Sequence, residues 1–409
     1  TGTYVYMGDD MSVGMNDLKG PVGGILGSLP EGLLPPAVLQ QAQALLAKDW
    51  AMKLQDRSFG TVAANITVPV YTGGKINAAN NAAKIKVENA AQKETQARNG
   101  LVSELTERYY GLALAMQVVE VRKQVLDGMR HHLSDAVALE NNGIIAKGER
   151  LYAEVHTAEA EREYLKAQKT VETLKSALGS TLNSEESVAP ASDMFILSDI
   201  EGADYFKQCA LDRNPLLRQV SYAKRLATEN MRLQRSEFAP QVALMGIASL
   251  YNYQVSSIMP KWAVGAGVSF KIFDGLHREY KFSAARWQIR QAEAVGEQAH
   301  NNMLTLIDKL YNEMVTYSQQ LPSVDASYRF ATEYLRIKDE AFKEGAAPSS
   351  DVVDARLNLA KIKIERLQAA YYYDLMLARL LEAAGISEAF SDYAKRSAAM
   401  PIRFEDESN

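Results

Sequence analysis

The acidic residues with the most informative spacing lie in the second half of the chain. Asp351 and Asp354 are three residues apart in a segment predicted to begin a helix, so their carboxylates share one face of that helix. In a purely local role, Ser349 or Ser350 caps the helix and Asp351 complements its N-terminal dipole. Whether the two acids also act on a ligand depends on the elements that surround this helix.

The other reactive side chains do not form a recognisable catalytic or metal site. His131 and His132 are adjacent, so they point to different sides of a helix, and the other histidines are scattered. This spacing does not suit a metal ion, and we predict that the histidines lie at the surface. Gly73 and Gly74 do not belong to the GxxxxGK[ST] pattern of a phosphate-binding loop and are predicted to form a tight turn. Since no nucleophile, base and acid are arranged for catalysis, we expect no enzymatic activity, no metal and no cofactor.

Composition argues against several classes of protein. The chain has 409 residues, a formal net charge of −5 and a pI of about 5.7, whereas nucleic-acid-binding proteins usually carry a basic surface. The single cysteine, Cys209, allows no disulfide within the chain. No run of about 20 apolar residues predicts a transmembrane helix, but membrane strands, which are short and only alternately apolar, stay open. Because the sequence begins at Thr1 without an initiator methionine, we expect that a preceding segment has been removed or is missing.

An internal repeat organises the chain. The motif Val-Tyr-Thr-Gly at 70–73 matches Ile-Phe-Asp-Gly at 272–275, an offset of 202 residues. The same offset relates Gly143 to Gly345. Each half is therefore predicted to contain a strand, a long helix, a break at glycine and a second helix.

Alternating apolar residues predict two long strands, at 62–70 and 262–272. Large apolar residues occupy the even positions, small or polar residues occupy the odd positions, and aromatic residues lie near the ends. This pattern is typical of a half-buried strand in a soluble sheet or of a tilted membrane strand. Each strand has a predecessor, at 4–13 and 239–251, so we predict four strands in two hairpins. Because four strands cannot close a barrel alone, membrane strands would require several chains to share one barrel.

The helices are predicted to be much longer than those of ordinary globular proteins. Residues 74–140 contain no proline and place apolar residues three, four or seven apart, which predicts one helix of roughly 65 residues, about 100 Å long. Pro322 should kink or interrupt the equivalent helix of the second half. We also predict one helix over 205–238, whose counterpart would precede Thr1, and an irregular tail after Ile386. A coiled coil or spectrin-like bundle would explain the helices but not the strands joined to them.

Several motifs of the chain resemble those of the TolC family of outer-membrane efflux proteins. The resemblance extends from about residue 3 to residue 385. The motifs are Pro-Val-Tyr-Thr-Gly-Gly-Lys at 69–75, Asn-Pro-Leu-Leu-Arg at 214–218, Phe-Ala-Pro-Gln-Val-Ala-Leu at 238–244, Lys-Ile-Phe-Asp-Gly at 271–275 and Glu-Gly-Ala-Ala-Pro-Ser-Ser-Asp-Val-Val-Asp-Ala at 344–355.

The resemblance implies a mainly α-helical fold with a transmembrane β-barrel. In a homotrimer, each chain would lend four strands to one shared 12-stranded barrel in the cell outer membrane. The long helices would form an α-helical tunnel that extends into the periplasm of a Gram-negative cell. The implied function is the exit duct of a tripartite efflux system, as in multidrug resistance, or of a type I secretion system. Drugs, heavy-metal ions and polypeptides stay open as substrates.

The resemblance also implies partners. A periplasmic adaptor (membrane fusion) protein would connect the duct to an inner-membrane transporter of the RND or ABC type, and outer-membrane lipid would surround the barrel. No nucleic acid is expected. Residues 14–57, a long loop, are predicted to face outside and either to cap the barrel or to bind another surface protein.

We divide the chain into seven segments on this basis. They are 1–73 for the first barrel hairpin with its long outer loop, 74–180 for the first tunnel helix pair, 181–203 for an equatorial linker, 204–238 for a tunnel helix, 239–274 for the second barrel hairpin, 275–385 for the second tunnel helix pair and 386–409 for the tail.

The resemblance gives the acidic residues a possible role in a pore. In the family, aspartates at the positions of Asp351 and Asp354 line the periplasmic constriction. Glu149 is related to Asp351 by the repeat and is a candidate third acid. In a trimer these carboxylates would form rings that favour cations. Gly143 and Gly345 would mark the turns at this end of the tunnel.

The sequence departs from the family pattern at two positions. Better-known members hold the tip closed with a tyrosine and an arginine, and the matching positions here are Phe342 and Ala347, which cannot make those polar links. We therefore predict closure by packing and by charge pairs between helices. The residues available for such pairs are Lys147, Arg150 and Arg356. The residues predicted to form the hinge between strand and helix are Pro69, Gly73, Gly74 and Gly275.

Two alternatives stay open. A periplasmic adaptor or coiled-coil scaffold of a transport complex would also contain long helical hairpins, but the duplicated four-strand pattern fits it poorly. An enzyme with a helical insert is consistent with the chain length alone.

Overall fold

The chain folds into two compact units. The first comprises residues 1–81 and 229–286, and the second comprises residues 82–228 and 287–409. The structure, a computed structural model, describes residues 1–30, 34–183, 188–256 and 260–403.

Long helices dominate the described ranges. The α-helices are α1 (Lys19–Gly27), α2 (Pro36–Ala47), α3 (Lys75–Asn141), α4 (Lys147–Leu182), α5 (Ala203–Arg213), α6 (Pro215–Ser236), α7 (His277–Lys343), α8 (Ser349–Ala383) and α9 (Phe390–Ala394). Short 3₁₀ turns occupy Asn16–Leu18 and Ser387–Ala389.

The strands are antiparallel throughout the described ranges. They are β1 (Gly2–Tyr6), β2 (Met11–Gly14), β3 (Ala51–Gln55), β4 (Ser58–Tyr71), β5 (Met194–Leu197), β6 (Gln241–Tyr253), β7 (Trp262–Ser269) and β8 (Ala399–Ile402). One sheet has the order β1-β4-β6-β7, and β2 pairs with β3 and β5 with β8.

The internal duplication is confirmed at the level of whole elements. Helices α3 and α7 both contain 67 residues and begin at Lys75 and His277, which are 202 positions apart (277 − 75). The following helices α4 and α8 begin at Lys147 and Ser349, again 202 apart (349 − 147). The assignment of these elements to a barrel and a tunnel stays a prediction.

The four-stranded sheet has two different faces, as its alternating sequence predicts. On β4 the even-numbered Ile66 and Val70 are 66% and 61% exposed. On the other face, Thr61 donates a hydrogen bond to Asn252 Oδ1 at 3.0 Å. One face of the sheet is thus apolar and open, while the other contains bonded polar groups.

Strand β7 is shorter than predicted. It ends at Ser269, whereas the sequence pattern continues to Ile272. Ser269 pairs with Gln241, the first residue of β6. Pro240, just before Gln241, has no backbone N–H to donate, so the ladder stops there and the alternating residues beyond it have no partner strand.

The segment 14–57 contains more regular structure than a loop. Strands β2 and β3 pair across it, and α1 and α2 lie between them, close enough that a Cβ at Gly23 would be 3.8 Å from Leu46 Cδ1. Most of its described side chains are exposed. Residues 31–33 lie outside the described ranges, and the role of the segment stays a prediction.

Pro322, which is predicted to kink or interrupt α7, does not interrupt the helix, and the kink stays a prediction. The helix continues from His277 to Lys343 through this residue. Proline removes one N–H from the helix, at a cost of about 3 kcal/mol. Met314, Leu321 and Ala331, on both sides of the proline, are buried, and this packing supports the helix across the missing bond.

Asn214 divides the helix predicted over 205–238 into two. It precedes Pro215 and adopts an extended conformation (ψ 123°), so α5 ends at Arg213 and α6 begins at Pro215. Its side-chain oxygen accepts the N–H of Leu216 at 2.8 Å, and its amide donates to the carbonyl of Ala383 at 2.7 Å. Asn214 therefore caps α6 and attaches it to the end of α8.

The tail after Ile386 is ordered up to residue 403, contrary to the prediction. Strand β8 pairs with β5, whose four residues are all buried, and Tyr393 packs into the same core. The N–H of Phe195 donates to Asp374 of α8 at 3.2 Å. Burial raises the pKa of the Asp374 carboxyl well above its usual range. Residues 404–409 lie outside the described ranges.

The two joins between strand and helix use left-handed residues. Gly73 and Gly74 have φ of 62° and 87°, and the repeat-related Gly275 and Leu276 have φ of 71° and 65°. A Cβ at Gly73 would lie 2.6 Å from Cβ of Ala239, whereas at Gly275 it would meet open space. Gly73 is therefore needed for both conformation and space, and Gly275 for conformation alone.

Pro69, the fourth predicted hinge residue, lies inside β4 near its end at Tyr71, within the strand predicted over 62–70. The register between β4 and β6 shifts between Pro69, which pairs with Ala243, and Tyr71, so the proline lies next to a β-bulge at Val70.

Candidate functional site

The turns that end the two long helices have the same backbone. Gly143 and Gly345 have φ of 70° and 75°. The N–H of Gly143 donates to Glu140 O at 2.9 Å, and that of Gly345 donates to Phe342 O at 2.9 Å. These bonds satisfy terminal carbonyls of α3 and α7 in the usual manner of a helix that ends at glycine. Most of the predicted site residues lie within a few residues of these two turns.

Glu149 caps a helix other than its own. Its carboxylate on α4 accepts the backbone N–H of Ser349, the first residue of α8, at 2.7 Å. This bond satisfies one of the free N–H groups at the start of α8, where the helix dipole also favours a negative charge. The prediction that Ser349 or Ser350 caps α8 is wrong: the N-cap residue is Pro348, and no side chain of the cap residue bonds to the helix.

Asp351 and Asp354 have different surroundings. Lys338 of α7 donates to Asp351 at 2.6 Å, and this hydrogen bond raises the pKa of the Lys338 ammonium. Asp354 is exposed and has no ion-pair partner within the described ranges. Of the three predicted acids, Glu149 and Asp351 thus stabilise local structure, while Asp354 remains available to solvent.

Phe342 lies at the centre of an apolar cluster. Its side chain is 1% exposed and packs with Ala136, Ala153 and Val352. The ring of His132 lies 4.4 Å from the Phe342 ring, measured between centroids. The aromatic residue at this position therefore fastens helices α3, α4 and α8 to the end of α7 by packing. We call this group the tip cluster.

His132 is buried, contrary to the prediction of surface histidines. Its Nε2 and the Ser349 hydroxyl share a hydrogen bond of 2.6 Å. Burial lowers the pKa of His132 to about 4, and the positive charge of Arg356 contributes to this effect. Nearby carboxylates oppose the shift but do not cancel it. The residue is therefore neutral at pH 7.

The sequence contained a signal for this burial. Met129, His132 and Ala136 are spaced three and four residues apart and are all buried, so they form one helical stripe. His131, the neighbour of His132, lies outside this stripe and is exposed.

Arg356 connects three helices. It forms an ion pair with Asp339 of α7 at 3.6 Å, and a Cβ at Gly128 of α3 would lie 1.7 Å from its guanidinium. Glycine at 128 therefore gives the guanidinium its place against α3. Burial lowers the pKa of Arg356.

The other two predicted cationic residues differ from each other. Arg150 donates to Glu140 at 2.6 Å and to Glu154 at 2.7 Å, so it links α4 to the end of α3. Lys147 is exposed and forms no ion pair within the described ranges. Ala347 lies in the turn after Gly345 and is partly exposed.

Comparison with known proteins shows that the chain is similar to outer-membrane efflux and channel proteins. A family model described as outer membrane efflux protein matches residues 207–386. VceC from Vibrio cholerae is similar in structure, with a TM-score of 0.70 and 16% identity over 94% of this chain and 86% of VceC. CmeC of Campylobacter jejuni has a TM-score of 0.70 and 14% identity over 97% of this chain and 81% of CmeC. The open state of Neisseria gonorrhoeae MtrE has a TM-score of 0.66 and 17% identity over 81% of this chain and 76% of MtrE. No match was found among curated proteins.

The fold is that of the outer-membrane channel proteins with long helical hairpins. Residues 207–386 match the outer membrane efflux protein model, and the structural similarity to VceC and CmeC confirms the TolC-like fold that the sequence motifs predict. Within the described ranges, no helix is both long enough and apolar enough to cross a membrane.

Proposed function

We propose that three copies of the chain form an outer-membrane duct through which an efflux or secretion system releases its substrates. The observation that carries this proposal is the repeated join of a strand to a 67-residue helix. A helix of this length extends about 100 Å, far more than a globular core requires. An adaptor protein is an alternative because it also contains long helical hairpins. The chain has the fold of outer-membrane channels, which contain such hairpins too, so the helices do not favour an adaptor.

Open sheet edges support a shared barrel. Strands β1 and β7 are the outer strands of the four-stranded sheet. Unpaired N–H and C=O groups on such edges are costly in lipid, so the edges require strands from other copies. Three copies with four strands each would close one barrel of twelve, with the exposed residues Ile66, Val264 and Val268 facing lipid.

Exposed apolar residues on α4 also support assembly. This helix buries only Ala153, Ala160 and Leu178, whereas α8 is largely buried. Val155 and Leu165 of α4 are 56% and 54% exposed. A neighbouring copy that packs against α4 would remove this apolar surface from water.

The proposed partners follow from the role of a duct. A channel that ends in the periplasm needs an inner-membrane transporter, of the RND or ABC type, to supply it with substrate and energy. A periplasmic adaptor protein would connect the two. The narrow end of the duct would be formed by the turns at Gly143 and Gly345, with the tip cluster holding each copy in its closed arrangement.

Asp354 is the acid we propose as the main selectivity residue. It is exposed and has no ion-pair partner in the described ranges, so no neighbouring cation offsets its negative charge, and a ring of three such carboxylates would favour cations. Asp351 would contribute less because Lys338 neutralises it at 2.6 Å.

Conductance of the purified full chain in planar bilayers tests the proposal. We expect trimers in detergent and cation-selective channels, and we expect Asp354→Asn to reduce the preference for potassium over chloride more than Asp351→Asn does. Glu172→Gln, an exposed acid paired with Lys169 on α4, is the control and should leave selectivity unchanged. A monomer without conductance would overturn the duct, and equal effects of all three variants would overturn the assignment of Asp354.

A further inference from the structure

A cavity rich in positive charge lies between α7 and α8 in the second unit. Its volume is about 500 Å³. It is close to the segment that follows β8. The lining residues are Pro322, Asp325, Tyr328, Arg329, Lys363, Arg366, Leu367 and Arg403. Four of them are cationic and one is acidic, so the lining carries a net charge of +3.

Two of the cationic side chains are held in place by the protein. Arg366 donates to Asp325 at 2.8 Å and to the carbonyl of Arg403 at 3.3 Å, which connects α8 both to α7 and to the segment after β8. Lys363 is 8% exposed, donates to Gln124 at 3.0 Å and lies 5.7 Å from the centre of the Tyr328 ring. These contacts define a preformed wall rather than a set of mobile surface chains.

The other two cationic side chains face the same space without an acidic partner. Within the described ranges, neither Arg329 nor Arg403 forms a salt bridge, and both are exposed. A planar guanidinium presents several N–H donors in a fixed geometry that matches carboxylate or phosphate oxygens. Bringing like charges together costs free energy, which a bound anion would offset.

The internal repeat provides a comparison inside the same chain. The positions that precede Asp325, Arg329, Lys363 and Arg366 by 202 residues are Lys123, Asp127, Glu161 and Tyr164. The formal charges of the four residues add up to −1 in the first half and to +2 in the second half. The geometry of a long helical hairpin therefore does not require basic residues here, and the charge belongs to the second half alone.

We propose that this cavity binds a multivalent oxyanion through carboxylate or phosphate groups. Arg329 and Arg403 supply the free donors, and Arg366 and Lys363 supply the fixed positive wall. A bound anion bridges α7, α8 and the segment after β8. The bridge lies beside Pro322, where α7 lacks one backbone hydrogen bond.

Two sources share this chemistry. One is a small polyanion from solution, and the other is the chain itself, because the sequence after Arg403 contains Glu405, Asp406 and Glu407. The proposal concerns binding and does not depend on whether the protein conducts ions.

Calorimetric titration of the purified full chain tests the site, with citrate and pyrophosphate as probes at constant ionic strength. We expect saturable binding that Arg329→Gln with Arg403→Gln weakens at least tenfold. The control is Arg162→Gln with Arg290→Gln, which removes the same charge from exposed positions outside the cavity and should change affinity less than twofold. An equal loss in both double variants would show non-specific attraction and overturn the site.

A chain that ends at Arg403 identifies the source of the anion. Equal binding by the full and shortened chains indicates a polyanion from solution. Binding that appears, or strengthens at least tenfold, only in the shortened chain indicates that residues 405–407 supply the carboxylates. If neither chain binds citrate or pyrophosphate, the proposal is overturned.

Discussion

The turns at Gly143 and Gly345 have the same backbone conformation, but an ion pair stabilises the first and apolar packing stabilises the second. At the first turn, Arg150 and Glu140 form an ion pair of 2.6 Å. The repeat-related positions at the second turn are Val352 and Phe342, which are buried together in the tip cluster. The left-handed glycine and the equal helix lengths give both turns the same backbone conformation. The side chains at related positions differ, since they are polar at the first turn and apolar at the second. The two hairpins therefore have equivalent turn geometry but different side-chain contacts at the related positions.

Truncation at the second turn should have the largest effect. Because Phe342 is fully buried, Phe342→Ala should cost about 3 to 5 kcal/mol, and Phe342→Leu less than about 1.5 kcal/mol. Hydrogen exchange of the amides in 345–356 would measure the loss of protection. The matched control is Glu140→Ala at the related position, which should cost at most about 1 kcal/mol. Similar losses at the two positions would refute the comparison.

Acid should weaken the second turn selectively. The pKa of His132 is lowered to about 4 in the folded chain, against 6.5 for the free side chain, so between these values the unfolded chain binds more protons. Stability at this turn should therefore fall as the pH drops from 6.5 through 4, by up to about 3 kcal/mol.

The groups around this histidine that act on its protonation are Arg356, Asp339, Asp135 and Glu149. Hydrogen exchange of the two turns at pH 7 and pH 5 provides the measurement. His132→Asn should abolish most of the pH dependence, whereas His131→Asn, an exposed neighbour, should retain it. An unchanged pH dependence in His132→Asn would assign it to other groups.

The smallest effect is expected at the first turn. Arg150 and Glu140 have partly exposed side chains, 23% and 25%, so Arg150→Ala should cost at most about 1 kcal/mol, and less at high salt. Exchange of the amides in 143–154 at low and high salt would measure it. A loss comparable to that of Phe342→Ala would show that the ion pair and not the apolar cluster is the stronger support.

Features with a strong local or periodic cause could be predicted from the sequence. The internal repeat predicts the order of strand, long helix, glycine turn and second helix in each half. The alternation of apolar and polar residues predicts which side chains share a face of the sheet. Gly73 and Gly275 indicate turns because few other residues adopt their conformation. The acidic residues could be found but not their environment, since nothing in the sequence places Lys338 beside Asp351. Their role in a pore stays a prediction.

Features that depend on distant contacts could not be predicted. Asn214 ends a helix because of the proline after it, but its attachment to Ala383 is tertiary. Residues 387–403 look irregular in sequence because β8 is only four residues long, and they are ordered by the pairing of β8 with β5. Pro322 is tolerated in α7 because the burial of neighbouring side chains compensates for the missing backbone hydrogen bond. Helix propensity alone does not include this tertiary packing.

The equal length of α3 and α7 has a consequence for how this protein can evolve. Each residue inserted in an α-helix rotates everything beyond it by about 100°. One insertion before His132 in α3 would turn His132 and Ala136 away from Phe342. Insertions or deletions should therefore be tolerated only in groups of about seven residues, which nearly restore the facing side, and only when α7 changes by the same number.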